Sequence, residues 1–331
     1  MWRYRELLPI KDESNVITLG EGFTHIIQLR KAGEQLGLKN LLMKDDGLIP
    51  TGTFKARGMA TAISKCLELG IKHVAVATAG NAGAAMAAYA AKAGLRSHVY
   101  LPKDTPNPIR LECGIYGADV TLVDGSISDA GKMVDEAAKK NGWMVLSTMK
   151  EPYRVEGKKT MGFEIAEQLH WSLPDVIVYP TGGGTGIVGM WKAFGEFEKA
   201  GLISGRWPRM VSVQSTTCAP VVKAIREKRD SCEFWNNPAT IAAGLRVPKP
   251  FGDYLIIRTI TKSHGAAVAV SDESMMHAMK DIARKEGVWM CPEGAATFAS
   301  LPQLIESGFL DKDETVLLYN TGSGILYPDL I

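Results

Sequence analysis

Apolar residues along the chain gather into short runs set off by turn residues, with stretches of helical spacing between them. The runs His73–Ala77, Ser97–Leu101, Asp119–Val123 and Trp143–Ser147 predict strands. Between them, Ala84–Ala93 (closed by Gly94), Pro106–Gly114 and Asp129–Lys140 (closed by Asn141 and Gly142) predict helices. The second half repeats the alternation. A long helix is expected within Arg154–His170, a strand at Asp175–Tyr179, a helix at Ile187–Lys199 and a strand at Met210–Gln214. A helix with an acidic start follows at Asp272–Glu286, then an extended Val288–Met290, a helix at Ala295–Glu306 and a last strand at Thr315–Tyr319. Towards the N-terminus, Arg30–Gly37 suits a short helix, Leu41–Lys44 a short strand and Ala56–Leu69 a helix. Strand and helix alternating with short loops predict an α/β fold of parallel βαβ units with helices on both faces. The prolines and glycines of residues 231–263 predict loops near a site or an interface.

With 331 residues, 46% hydrophobic and 22% charged, the chain has ample material for a large core, and two lobes are the natural expectation. A net charge of +2 gives no electrostatic case for nucleic acid or a membrane surface as partner. Cys66, Cys113, Cys218, Cys232 and Cys291 are scattered without a C-x-x-C pair, so neither a metal site nor a disulfide framework is suggested. The N-terminus carries charge but no apolar core of a secretory signal, and no apolar run is long enough to span a bilayer. The expected location is the cytoplasm.

Four short stretches can carry chemistry. Pro180-Thr-Gly-Gly-Gly-Thr-Gly186 follows a strand and opens a helix, so its backbone N–H groups and the positive helix end would face an anion such as a phosphate. Gly184, Gly186 and Gly189 formally match the G-x-G-x-x-G dinucleotide fingerprint, which would fit a nicotinamide-dependent dehydrogenase. That fingerprint also wants an acidic residue after the next strand, and here Gln214, Ser215 and Thr216 follow it. Thr78-Ala-Gly-Asn-Ala-Gly83 puts Asn81 at a helix start, either as a cap or as an amide facing a planar ligand. Asn320-Thr-Gly-Ser-Gly324 puts Thr321 at the carboxyl end of a strand, where open parallel sheets bind ligands. Pro50-Thr-Gly-Thr-Phe-Lys55 places a lysine where a turn runs into a helix. Lys55 is then either a solvated charge or a nucleophile and base held in a closed site.

Taken together in this order, the lysine and the three turns resemble the fold type II family of pyridoxal-phosphate enzymes, the tryptophan-synthase-β-like group. Within it the pattern is most similar to that of the threonine synthases. The likeness runs from Trp2–Pro9 and Leu19–Gly22 to Thr321–Gly324. It implies two open parallel-sheet lobes with pyridoxal 5'-phosphate in the cleft between them, the large one from residues 1–58 and 151–331, the small one from 59–150. It implies that Lys55 carries the cofactor and shuttles protons, that Asn81 bonds the phenolic oxygen, and that Gly182, Gly183, Gly184, Thr185 and Gly186 hold the cofactor phosphate. Thr321 would meet the ring nitrogen. Thr78, Ala79 and Gly80 would lie against the substrate α-carboxylate, and Arg154, assisted by Ser147, would grip a substrate phosphate. The implied reaction is a lyase reaction in threonine biosynthesis, converting O-phosphohomoserine and water to threonine and phosphate in a homodimer. Dehydration of serine or threonine, or β-replacement as in cysteine or cysteate synthesis, is the alternative. Threonine synthases often carry Asp where this chain has Ala56, a hydroxyl residue where it has Ala82 and Asn where it has Gly183; the last two positions lie near the substrate phosphate in that family, which leaves Arg154 as the main candidate anion grip.

Overall fold

The computed structural model describes residues 1–78 and 80–330. Among them ten strands form two sheets: β1 Ile26–Gln28, β2 Asn40–Asp45, β3 His73–Ala77, β4 Arg96–Pro102, β5 Asp119–Val123, β6 Met144–Val145, β7 Val176–Pro180, β8 Arg209–Ser215, β9 Ala266–Val270 and β10 Thr315–Asn320. The larger sheet has the order β1-β2-β10-β7-β8-β9 and the smaller β5-β4-β3-β6. Among these strand pairs only β1–β2 is antiparallel. Parallel strands need a crossover, and helices cover both faces, so β7 is buried at every position and reads as an unbroken apolar run.

Two compact units divide the chain, residues 1–22 with 49–160 and residues 23–48 with 161–331. The expected boundaries were 58/59 and 150/151. Residues 1–22 instead lie with the smaller sheet, because buried Glu21 gathers the N-terminal segment. Its carboxylate accepts from Trp2 Nε1 (2.7 Å), from the Leu19 backbone N–H (2.9 Å) and from the hydroxyl of Tyr89 (2.6 Å) on the helix Asn81–Ala93. Its carbonyl accepts from the N-terminal ammonium at 2.7 Å. Lys159 and Lys65 close the same segment by donating to the carbonyls of Leu7 and Pro9.

Three expected elements differ. β6 is only two residues long, since after Leu146 donates to the Ala75 carbonyl the chain turns at Thr148. The helix expected over 295–306 is two, Pro292–Ala299 and Leu301–Glu306, because Pro302 has no N–H to continue the first. Residues 231–263 contain the helix Asp253–Lys262. Its Ile and Thr residues are β-branched and weaken a helical reading, yet Ile256, Ile257 and Ile260 are buried on one face.

At the end of β2 lies a buried charged cluster. Lys44, wholly buried, donates its three ammonium protons to the Thr24 carbonyl (2.8 Å), Glu164 Oε2 (2.8 Å) and Gln168 Oε1 (2.7 Å). Asp46 accepts from the hydroxyls of Thr24 (2.7 Å) and Tyr319 (2.9 Å), and Asp45 from Asn320 Nδ2 (2.7 Å) and the Gly47 N–H (2.8 Å). Removing one partner of such a pair strands a charge. Glu164→Ala is therefore expected to destabilise the protein by about 3–5 kcal/mol, read from the shift in urea denaturation midpoint. A loss below about 1 kcal/mol would assign the pair a surface-like weight.

Candidate active site

In the unit of residues 23–48 and 161–331, the chain runs β7 to β8 to β9 in one direction and then returns to place β10 on the other side of β7. The connections that leave β7 and β10 therefore diverge, which opens a crevice at their carboxyl ends. Leu318 pairs with Val178, so the segment after Asn320 and the segment after Pro180 emerge side by side. These are the two stretches singled out as Thr321 and the glycine turn.

The glycine turn is packed from below. A Cβ on Gly182 would overlap the Gly244 carbonyl, one on Gly184 the Ile256 side chain, and one on Gly186 the Tyr179 hydroxyl. Gly184 has φ +79 and is the N-cap of the helix Thr185–Lys199, which no side chain caps. The result is a glycine-rich helix start whose first N–H groups no side chain caps, the donor set a phosphate monoester requires. Gln214 occupies the place where a dinucleotide site would carry its ribose acid. It is buried, donating to the Thr181 carbonyl (3.1 Å) and accepting from the N–H groups of Val221 (2.8 Å) and Val222 (3.2 Å). Its amide is committed to bracing the turn.

Thr321 is buried, and its hydroxyl lies 3.7 Å from the Cys291 sulfur. The sulfur accepts from the Gly294 N–H at 3.2 Å and so caps the helix Pro292–Ala299. The Cys291 N–H donates to the Gly322 carbonyl, which locks the Thr321 turn against that helix. Burial first, and then the carboxylate of Glu293, push the Cys291 thiol well above its ordinary range. The thiol therefore stays protonated at neutral pH. Neither Cys291 nor Glu293 stood out in the sequence; Cys-Pro-Glu there reads as an ordinary helix start.

In the unit of residues 1–22 and 49–160, the switch falls between β3 and β6. The turn Thr78–Gly83 leaves β3, and Ser147 closely follows β6. Ala79 lies outside the described residues. Thr78 Oγ1 accepts from the Gly80 N–H at 3.0 Å, and Gly80, with φ +146, is the N-cap of the helix Asn81–Ala93. Asn81 is thus the first helical residue and not the cap, and no side chain caps this helix either. The helix can lie close to the sheet because it is mostly alanine and glycine; a Cβ on Gly83 would press on Val99 and Thr78.

Lys55 opens the helix Lys55–Glu68 after a tight turn in which Thr51 and Gly52 both have φ +62. Its Nζ sits 3.9 Å from the centre of the Phe54 ring, and Lys158 Nζ lies 3.8 Å from the same ring while donating to the Phe54 carbonyl. Two ammonium groups thus share one aromatic ring beside the buried Thr53 hydroxyl, which has no hydrogen-bond partner among the described residues. Lys55 is half-buried.

Arg154 is 2% exposed and donates Nη1–H to the Leu146 carbonyl at 2.8 Å. Burial lowers its proton affinity and the nearby Glu151 carboxylate opposes that. Glu151 spends one oxygen on the Arg154 N–H (3.0 Å); its other oxygen is buried without a hydrogen-bond partner among the described residues.

The family model described as "Pyridoxal-phosphate dependent enzyme" matches residues 17–322. The chain belongs to the pyridoxal-phosphate-dependent enzymes. Among curated relatives, the threonine synthase of Methanocaldococcus jannaschii is 38% identical over 99% of this chain and 81% of its own length. That of Methanosarcina acetivorans is 37% identical over 100% and 81%, and that of Bacillus sp. (strain ULM1) 34% over 99% and 90%. Solved structures share the fold at lower identity. Maize serine racemase superposes with a TM-score of 0.80 at 22% identity over 93% of this chain and 92% of that one. Diaminopropionate ammonia lyase from Escherichia coli gives 0.80 at 19% over 97% and 92%. The pyridoxal-phosphate enzyme family is thus the one the lysine and the three turns pointed to, and the cofactor is pyridoxal 5'-phosphate. The uncapped glycine-walled helix start fits its phosphate.

Gly184→Ala is expected to cost about 1–2 kcal/mol in stability from its left-handed backbone alone. It should also weaken binding of pyridoxal phosphate, read by fluorescence titration. Wild-type affinity in the folded variant would remove the turn from the cofactor site.

Proposed function

We propose that the chain is a threonine synthase, releasing phosphate from O-phosphohomoserine and adding water to give threonine. The observation that carries this reading is identity of 34–38% to threonine synthases across nearly the whole chain. Buried Arg154, offering a guanidinium where burial strengthens its pull on an anion, supports a phosphorylated substrate.

When bound, pyridoxal phosphate supplies the electron sink that lets the substrate lose protons at carbon. The residues divide the remaining work. Lys55 would hold the cofactor, and its amine would move protons at the substrate carbons. Gly182, Gly183, Gly184, Thr185 and Gly186 would bind the cofactor phosphate with backbone N–H groups, and Asn81 would bond its phenolic oxygen. Thr321 would meet the ring nitrogen with a neutral hydroxyl, which would favour elimination and addition over transamination. Thr78, Ala79 and Gly80 orient the substrate carboxylate. Arg154, with Ser147, grips the substrate phosphate and holds it as the leaving group. The substrate is an amino acid, and the reading places the enzyme in the cytoplasm as a homodimer.

Purified protein reconstituted with pyridoxal phosphate should release phosphate from O-phosphohomoserine. Lys55→Ala should abolish both the visible absorbance of the bound cofactor and turnover. Arg154→Ala should lower kcat/KM roughly a hundredfold, the loss of a charge-assisted pair of about 3 kcal/mol. Release of a 2-oxo acid from threonine without phosphate release from O-phosphohomoserine would replace this reading with a dehydratase.

A further inference from the structure

Glu293 is a buried acid that the proposed chemistry leaves unused. It is 5% exposed. Its Oε1 accepts from the Gly244 N–H at 2.7 Å and from the Tyr327 hydroxyl at 3.1 Å. Its Oε2 is buried and has no hydrogen-bond partner among the described residues. A carboxylate oxygen removed from water without a donor is costly, so such a group persists where a ligand or a function requires it.

Its two neighbours explain where that function lies. On one side, Gly244 turns its N–H to Glu293 and its carbonyl to the position a Cβ on Gly182 would take. One residue therefore connects Glu293 to the floor of the glycine turn. A Cβ on Gly244 would itself press on Oε1, so carboxylate and loop are fitted to each other. On the other side, the Glu293 carboxylate acts directly on the thiol of Cys291, by its charge and by a side-chain hydrogen bond, and the Cys291 sulfur lies 3.7 Å both from the Thr321 hydroxyl and from Asn320 Oδ1. Asn320 in turn is oriented by Asp45 at 2.7 Å. The first turn of the helix Pro292–Ala299 favours a negative charge at this place.

We infer that Glu293 is a positioning residue that sets the two ends of the cofactor seat relative to each other. Through Gly244 it fixes the glycine turn that takes the phosphate. Through Cys291 it fixes the direction of the Thr321 hydroxyl at the ring nitrogen. The inference rests on the assignment of residues 182–186 and Thr321 to those two ends. The two halves need different features of the side chain. The turn needs only the Oε1 acceptor for the Gly244 N–H. The hydroxyl end feels the carboxylate charge through the Cys291 thiol.

The test uses the full chain reconstituted with pyridoxal phosphate, with the cofactor phosphorus and a 15N label at its ring nitrogen observed by NMR. Glu293→Gln keeps the shape and the Oε1 acceptor. It is expected to hold the dissociation constant within about threefold and leave the 31P resonance in place, while moving the 15N resonance. Glu293→Ala strands the Gly244 N–H and is expected to raise the dissociation constant about tenfold or more and to move both resonances. A 15N resonance unmoved in Glu293→Gln overturns the inference, and so does wild-type affinity in a folded Glu293→Ala. If Glu293→Ala does not fold, the isosteric Glu293→Gln still decides. Thr321→Val and Gly184→Ala serve as references. Should Thr321→Val leave the 15N resonance and Gly184→Ala the 31P resonance unmoved, the underlying assignment fails; with those references responding, a silent Glu293 fails alone.

Discussion

Lys44 is a wholly buried ammonium near the end of a strand, and it is tolerated because three oxygens accept its three N–H hydrogen bonds. One comes from the Thr24 carbonyl, one from Glu164 and one from Gln168. In a low-dielectric interior a charge either finds such partners or is lost as a charge. The arrangement pins β2 to the helix Tyr153–Gln168, and Asp45 at the end of β2 and Asp46 just after it then reach across to Asn320 and Tyr319 of β10. Burial raises the proton affinity of Asp45, while the Gly47 N–H and Asn320 amide counter it. The geometry at the end of β10 is thus inherited from charge satisfaction at the end of β2.

That inheritance matters because the strand order places β10 against β7. The glycine turn and Thr321 leave adjacent strands, so anything that shifts β10 also shifts the hydroxyl relative to the phosphate turn. Rigid backbone supports both. Gln214 braces the turn from the β8 side, and the Cys291–Gly322 hydrogen bond braces the threonine. Binding to such a seat loses little affinity to reorganisation, since the protein has already met the ordering cost in folding.

The parallel strands were legible because strands buried on both faces must be apolar throughout, as β7 is. The glycine turn was legible because its backbone cannot carry side chains, and Gly182, Gly184 and Gly186 each face an atom where a Cβ would stand. What stayed hidden was set by contacts between distant residues. Nothing near Glu21 indicates that it binds Tyr89, and this one carboxylate draws the first 22 residues to the smaller sheet. Glu293 looks like an ordinary first-turn acid until its Gly244 partner is seen. The helix Asp253–Lys262 was obscured by β-branched residues whose burial outweighs their weak helical preference. Ser300, where one expected helix becomes two, was marked by Pro302 only in hindsight.

The borders of the two sheets bear on how the protein behaves in a crowded solution. Two of the four are very short: β1 has three residues and β6 only two. An incoming strand finds few unpaired backbone groups on either, too few to start an ordered stack. The segment that would stack well, the Val-Ile-Val-Tyr of β7, lies in the middle of its sheet with a neighbour on each side. It becomes available to another chain only when the sheet comes apart. The hazard of aggregation through this segment therefore lies in slow refolding and not in storage of the folded protein.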